Sequence, residues 1–365
     1  MLLFLVYRSG AIDQFYLVLG FVAVIGLLTA SIINVSAFGL RSIVHLFGII
    51  TLFSLYFVRH TLDKYLSYSI IRWSLFLYVF ISVLQIFDPT FGSIFVSRDA
   101  AQTLEYAVGG RGSRSLTGEP SQFGEIITIL YILLLHSLQK NRQNGEINKS
   151  ILSKKYTLYS ILLLLTLTIL CRSATALFYF IIIAFVLGVY LRLWPQLIKF
   201  IIGGGIVVGL GILFLAESRL TMVLINLASD PDFILKQGAF ARIYNLPITI
   251  AAAFENFPFG TGVESRLGHF VTVWTPLGDY TIYVKSRTLG GIMELLLNYG
   301  LLSIFAFVVV FWLFVSSEYK VFSACLFFLI LQSGAPFMPT VLLGIVVLTV
   351  PSNPDNLWKE RRGSA

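Results

Sequence analysis

Apolar positions in this chain neither alternate with polar ones nor keep to a narrow helical stripe. They run together in windows broken by short polar intervals. The windows 14–34, 39–58, 69–87, 121–138, 156–171, 173–193, 197–216, 289–315, 321–335 and 337–350 each predict a helix of about membrane-crossing length. The strict two-residue alternation of a barrel strand is absent, so the pattern predicts an all-α polytopic membrane protein with about ten transmembrane helices. Two intervals are long, 88–120 and 217–288. Within the second, AFARIYNLPITIAAAFENFPFGTGVES (239–265) has an apolar-rich helical pattern broken by Pro247 and ending near Pro258 and Gly260. The second interval is therefore expected to be mostly helical, with amphipathic helices lying on the membrane.

Composition agrees with that pattern. Hydrophobic residues make up 57% of the 365 positions and charged residues 12%, and the mean hydropathy is +0.86. A soluble domain of this size would need far more charge on its surface. The whole chain, 1–365, reads as one integral membrane domain. Its start shows no separable leader and is expected to be retained, and Gly363-Ser364-Ala365 reads as a vector-derived scar. Cys171 and Cys325 fall in or beside apolar windows, with neither disulfide nor metal-ligand spacing. The pI near 9.4 comes from lysines and arginines in the short intervals. No basic motif for nucleic acid is present.

Sidedness follows from those cations. If the lysine-rich interval QKNRQNGEINKSILSKKY (139–156) is cytoplasmic, both termini face the cytoplasm and both long intervals face outward. Chemistry on that side has no ATP or nucleotide sugar, so a substrate there must arrive already activated in the membrane.

Individual charged residues in the outward intervals are the chemical candidates. In GGRGSRSLTGEPSQFGE (109–125), Pro120 suits the first turn of a helix, and Glu119 reads either as a charge that complements the helix start or as a base facing arginines. Glu125 lies further inside the same window. Arg111 and Arg114 read either as interfacial anchors or as a pair suited to a diphosphate. Arg172 stands in the minimal break of LTLTIL-CRSATALFYF, as an anchor charge or as a fork-shaped phosphate donor. Arg242 begins the lid-like helix, Arg287 precedes the window 289–315 and Glu294 lies within it, where an ion pair is the default. Arg266 and His269 stand nearby, while His45 and His136 read as packing groups. In GGGIVVGLG (203–211), Gly205 and Gly209 predict a close helix contact rather than a phosphate loop. Metal-ligand clusters are not expected in the outward intervals.

Four stretches in this order resemble the Wzy-type family of O-antigen and capsular polysaccharide polymerases: RSLTGEPSQFGE (114–125), CRSATALFYF (171–180), Arg242 with ENFPFGTGVES (255–265), and SRTLGGIMELLLNYGLL (286–302). The resemblance spans roughly 110–302 with gaps. It implies a metal-independent, cofactor-free membrane glycosyltransferase of GT-C-like architecture in the bacterial inner membrane, working at the periplasmic face. The implied donor and acceptor are undecaprenyl-diphosphate-linked glycans, with membrane lipids and a chain-length regulator protein as further partners and no nucleic acid. On this resemblance Glu119, Arg172 and Arg242 are catalytic. Arg111, Arg114, Arg172, Arg242 and Arg287 hold the diphosphates, and Glu125, Arg266, His269 and Glu294 give support.

Two other readings stay in play. An O-antigen ligase, passing the chain to lipid A core, would carry an outward histidine ahead of the window 289–315, where this chain has Lys285-Ser286-Arg287. A transporter of lipid-linked glycan without catalysis would be marked by an inverted repeat or paired broken helices, and neither is visible.

Overall fold

The computed structural model describes residues 67–88, 112–117, 119–214, 269–275, 278–284 and 319–332, with a few isolated positions besides. These residues form helix α1 (Tyr68–Phe87), α2 (Pro120–Gln143), α3 (Lys149–Leu165) continued by a π-helical segment (Thr166–Cys171), α4 (Ala174–Tyr190), α5 (Trp194–Phe214) and α6 (Lys320–Gln332). A two-stranded hairpin, β1 (His269–Thr275) and β2 (Gly278–Val284), completes them. Tyr68–Phe87, Pro120–Gln143 and Lys149–Cys171 are each long and apolar enough to cross a membrane. The described part is that of a helical, membrane-embedded protein.

The helices begin where local chemistry lets them. Ser67, Asn148 and Ser173 cap α1, α3 and α4, each accepting a hydrogen bond from an amide in the first turn. Pro120 opens α2 at a position whose missing N–H costs nothing. Six predicted windows match the six helices, yet α2 runs on to Gln143 and α3 starts at Lys149. The added turns carry Lys140, Arg142, Lys149, Lys154 and Lys155, which hydropathy discounts although they are good helix formers. The windows 14–34, 39–58, 289–315 and 337–350 lie outside the described residues.

Helix α2 is the centre of the bundle, with every residue from Phe123 to His136 buried. Around it pack α1, α4 and α6, and α5 packs on α3. Apolar surface alone gives little preference between neighbours in a membrane, so buried polar ties are informative. Tyr131 and Ser160 join α2 to α3 at 2.7 Å, and the Tyr156 hydroxyl donates to the Ala184 carbonyl on α4 at 2.6 Å. His136 packs edge-on against Tyr319 and Phe322 of the α6 region. Trp73, Phe76, Phe80 and Phe87 of α1 are exposed, as lipid-facing side chains are.

Two glycine positions set helix spacing. A Cβ on Gly124 would collide with the Ala176 methyl and lie 3.2 Å from Leu167 Cδ2, so α2 and α4 touch nearly backbone to backbone. Gly124→Ala is expected to cost about 1–3 kcal/mol, and adding Ala176→Gly should restore most of it. Thermal unfolding of both single variants and the double would check this; additive losses would contradict the contact. The second is Gly204, where a Cβ would lie 3.0 Å from Leu164 Cδ2 on α3. A Cβ on Gly205 or Gly209 meets none of the described residues.

The interval 217–288 differs from its mostly helical expectation in one place. Strands β1 and β2 pair antiparallel, with Val271 opposite Ile282 and Thr275 opposite Gly278. Val, Thr, Tyr, Phe and Trp fill these positions, the residues that favour extended backbone. The stretch 239–265 lies outside the described residues.

Candidate functional site

One end of the bundle gathers the 112–119 loop, the last turns of α1 and the α3–α4 junction at Arg172. The opposite end carries the α2–α3 turn and the starts of α5 and α6, with the Tyr319 hydroxyl bonded to Gln143.

The loop is built against the π-helical segment. Ser113 N donates to Leu170 O at 2.7 Å. Gly112, at φ +78°, lies so close to the backbone of Leu170 and Cys171 that no Cβ fits. Cys171 Sγ donates to the Pro120 carbonyl at 2.9 Å. Stretches some fifty residues apart in sequence are thereby joined, RSLTGEPSQFGE to CRSATALFYF.

The Gln85 side chain holds the same loop from α1. Its Nε2 donates to the carbonyls of Phe91 (2.8 Å) and Ser115 (2.9 Å), while its Oε1 accepts from Ser113 Oγ (3.0 Å) and Ser115 N (2.8 Å). Ser82 bonds Ser113, and Ser115 Oγ donates to Tyr78 O at 2.6 Å. Three of the amide's four hydrogen bonds thus position residues 113–115, and the fourth goes to Phe91. Gln85→Ala is expected to cost about 2–3 kcal/mol, since it leaves buried loop groups unsatisfied. Denaturation of the variant checks this, and an unchanged unfolding temperature would show that the network carries no weight.

Within this frame Arg114 is buried at 3% exposure. A guanidinium keeps its proton, so a cation is held inside the protein, and a side chain sealed there does not anchor at lipid headgroups. Thr117 closes the turn after it, donating through both N and Oγ1 to the Arg114 carbonyl. Ser115 takes a left-handed conformation, φ +52°.

Arg172 is also left-handed, φ +50° and ψ +30°, where the π-helical segment ends. Its amide donates to Leu167 O at 2.9 Å, five residues back, and its Nε to Ile169 O at 3.0 Å. Such π segments recur at functional sites. Here the Thr166 and Thr168 hydroxyls donate to the carbonyls of Leu162 and Leu164, providing partners where the helical bonding pattern shifts. A non-glycine residue in the left-handed region costs about 1–2 kcal/mol. The strain sits on a partly exposed arginine at the junction.

Glu119 is the residue preceding α2, yet its side chain makes no capping bond; it accepts from Ser121 Oγ at the long distance of 3.5 Å. Glu125 is buried one turn and a half further in. His269 starts β1, opposite Val284. Arg111, Arg242, Arg266, Arg287 and Glu294 lie outside the described residues.

Compared with family models, with curated proteins and with solved structures, the chain matches none.

Sequence reading missed Gly112, Ser113, Gln85 and Cys171. Gln85 had a signal, as an amide within the apolar run LFLYVFISVLQIF. Cys171 had none beyond its place beside Arg172.

Proposed function

We propose that this protein polymerises lipid-linked glycan repeat units in the bacterial inner membrane. One observation carries the reading: the two stretches that resemble the polymerase family most locally, 114–125 and 171–180, meet at one end of the bundle, with Arg114 and Arg172 in the same junction. The residues Lys140, Arg142, Lys149, Lys154, Arg192 and Lys320 sit at the other end, and that asymmetry supports a periplasmic site with a cytoplasmic lysine face. Ten spans and a GT-C-like architecture belong to the same proposal.

The chemistry is a displacement at an anomeric carbon. A hydroxyl of the incoming undecaprenyl-diphosphate-linked unit attacks that carbon on the growing chain, its proton passes to Glu119, and undecaprenyl diphosphate leaves with the bonding pair. Charge builds on the departing diphosphate. Arg172 and Arg242 stabilise it, with Arg111, Arg114 and Arg287 in support, because preorganised cations act where charge develops. Arg114 fits a positioning role better than direct contact, since it is buried.

The test mixes purified protein with an undecaprenyl-diphosphate-linked repeat unit of the native structure, without nucleotide or metal. A ladder of lengthening chains is expected on a gel. Transfer only when lipid A core is supplied would make the protein a ligase, and no transfer in either case would contradict the proposal.

A further inference from the structure

A groove of about 390 Å³ opens between α3 and α5 at the lysine-bearing end, far from the junction around Arg172. Deeper in, a Cβ built on Gly204 of α5 would lie 3.0 Å from Leu164 Cδ2 of α3, so the two helices pack closely there. Lys154 of α3 and Lys199 of α5 both line the groove. Gln196 adds an amide beside them, and no acidic side chain lines the groove among the described residues.

Below the lysines the wall changes character. Leu158, Ile161 and Leu162 follow Lys154 at intervals of four, seven and eight residues, which is one helical face. Leu158 and Leu162 are about half exposed. The groove therefore offers two cations at the mouth and an aliphatic track running toward the membrane interior.

We propose that this groove binds an anionic phospholipid of the surrounding bilayer, with its phosphate on Lys154 and Lys199 and an acyl chain along Leu158, Ile161 and Leu162. Charge complementarity selects the occupant. A zwitterionic lipid brings its own cation to the lysines, and a free phosphate makes no use of the aliphatic track. Basic pockets between membrane helices bind anionic lipid head groups, and a lysine near an anionic membrane surface is worth about fivefold in binding. The site is independent of the polymerase reading, since none of its residues belongs to the junction.

The experiment is native mass spectrometry of the full chain, titrated with phosphatidylglycerol or phosphatidylethanolamine of identical acyl chains. Retention of phosphatidylglycerol is expected to exceed that of phosphatidylethanolamine by about twentyfold, and K154Q/K199Q should remove most of that preference. Both lysines are exposed, so the double substitution leaves the bundle intact. Ile161→Trp, which fills the track, should weaken phosphatidylglycerol binding with both lysines present. Equal retention of the two lipids, a preference that survives K154Q/K199Q, or displacement of the lipid by millimolar glycerol phosphate would each overturn the proposal.

Discussion

Gly112→Ala is expected to cost about 2–5 kcal/mol and to release the 112–117 loop from the π-helical segment. Two effects add. The position has φ +78°, which an L side chain adopts only with strain, and the new Cβ would lie 2.6 Å from Cys171 O and 2.8 Å from Cys171 C, as well as against Leu170 O. All three are backbone atoms, so no side chain can rotate away. Gly145 provides the internal comparison: it has φ +79°, but a Cβ there meets nothing within 4 Å. Gly145→Ala should therefore show only the conformational cost, about 1–2 kcal/mol. Chemical or thermal unfolding of the two variants side by side checks the difference, and equal losses would mean that the contact with residues 170–171 contributes nothing. Chain extension by the Gly112→Ala protein is expected to fall with it, because Arg114 and Glu119 stand on that loop.

Arg172→Gly should separate stability from activity. Glycine takes the left-handed conformation without the steric penalty of arginine, so the backbone gains roughly what the left-handed arginine loses, about 1 kcal/mol before glycine's own chain entropy is counted. The hydrogen bond from Nε to the Ile169 carbonyl is lost, but it is partly exposed and weak in net effect. Thermal stability is therefore expected to stay level or rise slightly. The rate of glycan extension should nevertheless drop about a hundredfold, as it does when one charge-stabilising donor is removed from a developing anion. Arg172→Lys keeps the charge and loses the fork, and should recover only a small part of the rate. A protein with Arg172→Gly that extends chains normally would remove Arg172 from the proposed chemistry. One that unfolds early would mean instead that the arginine is structural.

The two variants probe different parts of one junction. Gly112 tests whether the loop must sit on the π-helical segment, and Arg172 tests what that arrangement presents. Gln85 stands behind both, since its side chain meets the loop from α1 while the segment 170–171 meets it from α3.

The sequence by itself determined that the chain is helical and membrane-embedded, and where the described spans run. Apolar run length is a local property, and so are the capping side chains of Ser67, Asn148 and Ser173 and the fit of Pro120 to a first helical turn. The charged turns at 140–143 and 149–155 were legible only in part, because hydropathy scores their lysines as interruptions although the backbone continues through them. The strands at 269–284 had a local signal in their β-branched and aromatic residues, outweighed by the helical pattern of the preceding stretch.

Only the tertiary structure decided that Arg114 is buried while Arg172 is partly exposed, that Gln85 anchors the loop, and that Gly204 faces Leu164 on α3. These are relations between residues thirty to ninety positions apart, and no periodicity in one segment encodes its partner's approach. The π-helical turn belongs with them: TLTILC carries neither proline nor glycine to mark it, and its Leu170 carbonyl accepts from Ser113 of the distant loop.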